Sequence, residues 1–594
     1  MNRSEKLGDF TTTPRAIIIS GLAIGIGLVS AGVAWVLLNL ISLFTNLFFF
    51  QRWSTAIVSP AGNRLGIWEL LVPVAGALII GIMARYGSER IRGHGIPEAI
   101  EAILINGSKV EPKVALLKPL SSAISIGSGG PFGAEGPIIM TGGAIGSMIA
   151  QLFHLTNTER KTLLVAGAAA GMSATFAAPV SAVLLAVELL LFEWKPRSLI
   201  PVALASVTAG TVRRYILGIG PLFPVPAHPI FIGPQGLLGC VLAGLLAGAL
   251  SAILTGAVYA SEDFFQKLPI HWMWWPAIGG LSIGLGGLIF PQALGVGYDT
   301  IGALLQGDVP RNVILGILLV KSVIWSVSLG SGTSGGVLAP LLMMGGALGG
   351  IEAMFLPHEG AGFWPLVSMG AILGGTMRSP FTGVIFALEL THDVNMLAPL
   401  LLAVTIAHGF TVLTLKRSIL TEKVARRGYH MSREYSVDPL EILFVREVMR
   451  DNIAALPAYA TAAAAGGPLR SDHHDRGQLL YPVVDTERRL IGVITRSRLQ
   501  QILDDGSDSR RPVKDLAKSD PVVAHASEPL RVVVYRMAET GVTRMPVVRS
   551  ETDRTLVGMV SLRDLLRART QNLHEERRRE RTLRIHFPFG ARAG

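Results

Sequence analysis

One carboxylate, Glu135, lies inside a run unusually rich in glycine: Gly127-Ser128-Gly129-Gly130-Pro131-Phe132-Gly133-Ala134-Glu135-Gly136-Pro137. A second run repeats the pattern without the acid: Gly330-Ser331-Gly332-Thr333-Ser334-Gly335-Gly336-Val337-Leu338-Ala339-Pro340. Both lie between apolar stretches. Such backbone gathers bare N–H groups at the start of a helix, and that is an anion site. A carboxylate inside the cradle competes with the anion for it. The chemistry expected is reversible occupation of an anion site by a side chain.

The elements that position these loops are duplicated. A shift of 203 positions superposes Gly127 on Gly330, Gly133 on Gly336, Pro137 on Pro340 and Gly142-Gly143 on Gly345-Gly346. The same shift carries Lys118 onto Lys321, upstream of each loop. At 201, Pro179 meets Pro380 and Glu188 meets Glu389; at 202, Gly93-His94-Gly95 meets Gly295-Val296-Gly297. Duplicated halves with broken polar segments at matching places are the pattern of membrane transport proteins, with the site where the halves meet.

Composition agrees. Of 594 residues, 50% are hydrophobic and only 16% charged, which places the chain among membrane proteins. No charge falls between Arg15 and Arg52. As a helix that stretch is about 54 Å long, so it must tilt, bend or break within a hydrocarbon core of about 30 Å. The net charge of +11 gathers in flanks and towards the C-terminus, as at Arg426-Arg427 and Arg577-Arg578-Arg579. That distribution argues against nucleic-acid binding and for cytoplasmic flanks. The single Cys240 excludes an intrachain disulfide framework, and no metal site is expected.

In order, residues 1–13 read as a cytoplasmic arm, 14–430 as the membrane domain, 431–444 as a linker, 445–570 as soluble α/β units and 571–594 as a basic, mobile tail. Many apolar segments in the membrane domain are too short for a simple span, so helices enter partway and point their ends at a shared centre. In the soluble part, Tyr481-Pro482-Val483-Val484-Asp485 leads to Leu490-Ile491-Gly492-Val493-Ile494-Thr495. Met545-Pro546-Val547-Val548 leads likewise to Leu556-Val557-Gly558-Met559-Val560-Ser561. Each copy is strand, turn, strand and helix. The two units, about 445–505 and 512–570, resemble a tandem pair of CBS domains. That resemblance implies an adenine nucleotide as a possible ligand, met by Ser561 and Asp564; the first copy has Arg498 where an acid is usual.

With these motifs in place, residues 14–430 resemble the ClC family of chloride channels and proton-coupled chloride exchangers. The family's signatures are read in Gly93-His94-Gly95-Ile96-Pro97, Gly133-Ala134-Glu135-Gly136-Pro137 and Gly336-Val337-Leu338-Ala339-Pro340. The fold implied is an all-α polytopic membrane domain of inverted repeats and broken helices, followed by the α/β cytoplasmic CBS pair. The resemblance implies a homodimer in lipid, in the cell inner membrane with both termini cytoplasmic, and one path per subunit for chloride or another small anion. It makes Glu135 the gate. The anion site it implies comprises His94, Gly95, Ala134, Glu135, Val337, Leu338 and Leu420, with the amides of Val337 and Leu338 holding the central anion. No cofactor is required for transport.

Three positions depart from the family pattern. His94 replaces a serine and Leu420 a tyrosine, so one hydroxyl donor has become an imidazole and the other an alkyl chain. His94 either donates an N–H to the anion or packs against a loop carbonyl. Leu189 stands where exchangers commonly carry an inner glutamate. Glu193, one turn on, is a substitute or an interfacial residue; Glu188 and Glu389 are expected to hold helix ends or amides. Lys118 and Lys321 either add positive potential along the path, or pair with carbonyls or snorkel. The departures favour a passive channel over a proton-coupled exchanger. A cation-coupled solute carrier is a further alternative on an inverted repeat, although the loops offer amide donors where cation sites favour carboxylates and carbonyls. A membrane protease is disfavoured by the absence of His-Glu-x-x-His and of other catalytic constellations in the apolar segments.

Overall fold

The computed structural model describes residues 12–428, 440, 443–466, 478–506 and 508–577. They fall into two compact units, the membrane part ending near 428 and a second comprising 443–577. Most of the expected arm and linker, and residues 578–594 of the tail, lie outside the described residues.

In the first unit almost every element is helical. The uncharged stretch is one unbroken helix, Arg15–Phe50, so of the three options the break is not taken. Among the described residues five helices are long and apolar enough to cross a membrane. The others are shorter or less apolar, and the Glu135–Gln151 and Leu338–Glu352 helices start with buried residues.

The repeat is visible in the backbone. The Asn157–Phe176 and Phe363–Met377 helices end in left-handed residues that are not glycine, Ala177 (φ 57°) and Arg378 (φ 56°). Phe192 (φ 53°) and His392 (φ 60°) end the next pair in the same way. Strained caps at matching positions follow from the same local architecture being used twice. The lysines match as well. Lys118 Nζ donates to the carbonyls of Ile91 (2.8 Å) and Gly93 (2.7 Å) and to Ser334 Oγ (3.0 Å). Lys321 Nζ donates to the Gly295 carbonyl (2.9 Å), the repeat mate of Gly93. Both lysines are fully buried and tie down the Gly-x-Gly turn of their own half.

The halves are stitched by exchanged carboxylates. Glu188 accepts from the amides of Phe381 (3.2 Å) and Thr382 (2.9 Å) and from Thr382 Oγ1 (2.6 Å), at the start of the Pro380–Thr391 helix. Glu389, at the end of that helix, accepts from the amides of Val180 (2.9 Å) and Ser181 (2.8 Å) and from Ser181 Oγ (2.6 Å), at the start of the Pro179–Leu185 helix. Each carboxylate satisfies orphan donors of the other half's helix N-terminus. The expectation that they hold helix ends is met.

The second unit holds two sheets. The first has the order β1 (Leu456–Pro457), β2 (Leu480–Val484), β3 (Leu490–Thr495) and β4 (Lys518–Ser519); the second, β5 (Ala524–His525), β6 (Arg544–Val548) and β7 (Leu556–Ser561). The strand–turn–strand–helix reading holds in both copies: β2 and β3, like β6 and β7, are antiparallel, and the Arg496–Asp505 and Leu562–Arg577 helices follow. The two-residue strands β1, β4 and β5 are too short to leave a periodic signal. Two boundaries move. Leu443 and Phe444, expected in the linker, bond into the second copy through the Leu530 amide and the Phe444–Pro529 bridge. Residues 571–577, expected as mobile tail, continue the Leu562–Arg577 helix.

Candidate functional site

Three glycine-bearing loops converge at the centre of the membrane unit. Gly133 and Gly336 exchange backbone bonds, Gly133 N–H to Gly336 O (3.1 Å) and Gly336 N–H to Gly133 O (2.8 Å). Gly93 N–H donates to Thr333 O (3.2 Å), joining the first loop to the third. The contact is close enough to require glycine: a Cβ on Gly136 would collide with the His94 carbonyl oxygen. Positive φ at Gly93 (84°) and Gly95 (91°) turns the first loop into the Ile96–Leu104 helix.

Glu135 opens the Glu135–Gln151 helix and is fully buried, with Ala134 as its equally buried N-cap. The carboxylate folds back on its own backbone amide, and Oε1 accepts from the Ala339 amide (2.9 Å), in the first turn of the Leu338–Glu352 helix of the other half. Oε2 has no hydrogen-bond partner. The amides of Val337 and Leu338 find no acceptor among the described residues, as expected at a helix start. The carboxylate therefore sits at a helix start whose neighbouring amides are open, an arrangement of donors that suits a negative charge.

Two cavities reach this centre. One, of about 520 Å³, is lined by His94, Glu98, Arg92, Lys423, Arg426 and Arg427 among others. The other, of about 540 Å³, reaches Ala134 and is lined by Thr45, Arg213, Tyr298 and Asp299. They share no lining residue; Glu135 follows Ala134 in the chain, and its carboxylate lies against Gly133 and Gly336. The His94 cavity has five cationic and three carboxylate side chains in its wall, a balance that draws anions inward. Arg92 is held there by stacking over the Trp272 ring at 4.5 Å.

The expected residues divide. His94 is buried at the head of its cavity with Nδ1 unpartnered. Leu420 is fully buried on the Ile419–Arg426 helix, which packs against the Ile96–Leu104 helix. Gly95 is brought in with its amide already used: it donates to Glu98 Oε2 (2.9 Å). Lys118 and Lys321 bond carbonyls, in line with the plainer of their two readings. Leu189 is buried in a π-helical turn, Ala186–Leu191. Glu193 accepts from Ser198 Oγ (2.7 Å) and faces Lys195 and Arg197 at 3.5 and 3.8 Å. In the second unit Asp564 is committed on both oxygens. Oδ2 accepts from Ser561 N (3.0 Å) and Oγ (2.5 Å), and Oδ1 from Arg450 Nε (3.0 Å).

Sequence reasoning missed the ion pair of Glu98 with Lys423, 2.6 Å apart at the mouth of the His94 cavity. The Gly95…Glu98 spacing carries the capping-box signal for Glu98, but nothing local links it to a lysine 325 positions away. Arg92 on Trp272 was missed for the same reason.

Residues 75–412 match the family model described as voltage gated chloride channel, more than half of the chain. This chain belongs to that family. The ClC assignment covers anion transport in a membrane, and its family is one of transporters and channels, not of enzymes. Residues 445–505 and 513–570 match the CBS domain model. A ClcB-like chloride channel protein of Ralstonia nicotianae is 30% identical over 348 residues, 56% of this chain and 80% of that protein. A protein of Yersinia pseudotuberculosis named H(+)/Cl(-) exchange transporter ClcA is 29% identical over 420 residues, 66% of this chain and 83% of that one. Among solved structures, a slow cyanobacterial Cl-/H+ antiporter aligns with TM-score 0.61 at 20% identity, over 70% of this ClC chain and 99% of that one. A eukaryotic CLC transporter aligns with TM-score 0.57 at 19% identity, over 92% and 97%. At those identities the structures speak for the fold alone.

Proposed function

We propose that this ClC protein moves chloride, or a similar small anion, through one path in each subunit of a homodimer, and that Glu135 gates the path. The observation that carries this reading is the bond from the Ala339 amide to Glu135 Oε1 across the repeat interface. The gate closes when the carboxylate takes the amide field and opens when protonation or a competing anion releases it. Backbone donors of Val337 and Leu338 then hold the anion, and His94 Nδ1 supplies a further donor in the tautomer that protonates it. The inner membrane, with both ends of the chain on the cytoplasmic side, is the proposed location.

A passive or loosely coupled path is favoured by what surrounds the inner position. Leu189 carries no proton, Glu188 is bonded to the amides of Phe381 and Thr382, and Glu193 is engaged by Ser198. The second reading is proton-coupled exchange, favoured by the name of the Yersinia relative. Proteoliposomes given a chloride gradient without a pH gradient separate them. Loose coupling leaves the external pH flat. Sustained uphill proton movement at a fixed ratio to chloride, lost in Glu135→Ala, establishes exchange instead. An adenine nucleotide is the proposed ligand of the CBS pair; at the Ser561–Asp564 turn it has to displace Arg450 from Asp564.

A further inference from the structure

The repeat pairs the turn that carries His94 with one in the other half: Gly93-His94-Gly95-Ile96 against Gly295-Val296-Gly297-Tyr298. The polar ring changes place between them. His94 lies between its two glycines, whereas Tyr298 stands directly after the second glycine and opens the Tyr298–Gln306 helix. Gly297, in the left-handed region at φ 76°, makes that turn, and Lys321 Nζ holds it by the Gly295 carbonyl (2.9 Å). The Tyr298 ring packs edge-on against Phe176 and Phe223, with centroids 6.5 and 5.9 Å away.

Tyr298 lines the cavity of about 540 Å³ that reaches Ala134. Among the described residues, the buried side-chain polar atoms of that wall without a partner are Tyr298 Oη and Arg213 Nε. The charge of Glu135 acts on Tyr298 and not on Arg213, whose Nη1 donates to the Gly218 carbonyl (3.2 Å). The hydroxyls of Thr45 and Thr175, in the same wall, already donate to carbonyls one turn back, at 2.9 Å each. A carboxyl that leaves the Ala339 amide without finding a new partner keeps the whole cost of a buried polar group. Towards this cavity the uncommitted buried hydroxyl is that of Tyr298.

We propose that Tyr298 Oη receives the Glu135 carboxyl when the gate opens, which makes Tyr298 a positioning residue that sets how easily the gate leaves the Ala339 amide. The inference rests on Glu135 being the gate. A phenol suits both routes of release. It donates to a carboxylate displaced by an anion, and it donates to or accepts from a protonated acid. Of the charged groups nearby, Lys321 faces both Glu135 and Asp299, and Arg213 and Asp299 share the wall with Tyr298. His94, Glu98 and Lys423 line the other cavity. Tyr298→Phe alters none of these charges, so a change in pH profile belongs to the hydroxyl.

The test is chloride flux in proteoliposomes at equal internal and external pH, varied from about 4 to 8, for wild type, Tyr298→Phe, Glu135→Ala and the double variant. Tyr298→Phe keeps the ring between Phe176 and Phe223, so its melting temperature should match the wild type. Without the hydroxyl the released gate loses a bond, and flux at neutral pH should fall about threefold to tenfold. Half-maximal flux should then need a pH lower by about 0.5 to 1 unit. Glu135→Ala leaves no carboxyl to receive, and in that background Tyr298→Phe should change nothing. With Glu135→Ala insensitive to pH, a Tyr298→Phe profile that coincides with the wild type, or moves to higher pH, overturns the inference and leaves Glu135 as the gate. So does an equal loss of flux from Tyr298→Phe in both backgrounds, which places the hydroxyl on the anion instead. If Glu135→Ala keeps the wild-type pH profile, Glu135 is not the gate and the inference falls with it.

Discussion

Glu135 and Glu98 are both buried acids in the first turn of a helix, and their partners give them opposite freedom. Glu98 is bound on both oxygens, by the Gly95 amide at 2.9 Å and Lys423 Nζ at 2.6 Å. Glu135 takes a single hydrogen bond from another residue, the Ala339 amide. A singly held buried carboxylate is the one that can leave. Glu135→Gln removes the charge that competes for the amides, so anion flux in liposomes should become less sensitive to external pH than in the wild type. Identical profiles would mean that Glu135 is not the gate. Glu98→Gln strands the Lys423 ammonium where it is only 19% exposed. A loss of about 3 kcal/mol is expected, read as a fall in melting temperature, with much of it recovered when Lys423→Met is added. A double variant that melts as far below wild type as the two single losses combined would show the pair uncoupled.

At the scale of elements, the exchanged caps set the relation between the halves. Glu188 and Glu389 each bind two amides and a hydroxyl in the partner half, so Glu188→Ala and Glu389→Ala should cost similar amounts, about 2 kcal/mol each. Thermal unfolding of the detergent-solubilised protein reads this directly; a large cost for one and none for the other would contradict equivalent roles. In the soluble unit, Glu528 anchors the Leu530–Thr540 helix through two bonds to Arg536, at 2.8 and 2.9 Å, and one from the His525 amide at 3.0 Å. Burial pushes this carboxyl up, but the Arg536 and His525 bonds outweigh it and hold it below the ordinary value of 4.5. An acid with a depressed folded value stabilises fully above its unfolded value, and that contribution is lost as pH falls through the folded one. Acidification below about pH 4.5 should therefore narrow the stability gap between wild type and Glu528→Gln. A gap that does not change with pH would assign Glu528 a packing role alone.

At the scale of the molecule, the two units have separate cores. The membrane cluster extends from Ile19 to Val424, and the CBS copies are built around Val445, Leu530 and Val560 and around Leu456, Tyr481 and Ile494. The three loops, Glu135 and both cavities that reach them belong to the membrane unit alone. Deleting residues 440–594 should therefore leave chloride flux measurable in proteoliposomes. Loss of all flux from a properly inserted, truncated protein would make the CBS pair part of the working path.

Family, duplication and the identity of the central acid were legible in the sequence, because each is carried by local chemistry. Glycine clusters mark where backbone must approach backbone, matching offsets reveal the repeat, and a lone carboxylate in apolar surroundings stands out by its cost. Glu188 and Glu389 were legible as helix-end acids for the same reason. Their partners were not: which helix each one caps depends on folding one half against the other. The same holds for Lys423 on Glu98, Arg92 on Trp272 and the commitment of the Gly95 amide. At the CBS pair, the sequence pointed to Ser561 and Asp564, whereas folding neutralises Asp564 with Arg450 and leaves Arg498, Lys518 and Arg544 facing one another. Residue type states what charge a position brings. Only the tertiary structure decides whether that charge is already answered, because the answering group lies dozens to hundreds of positions away.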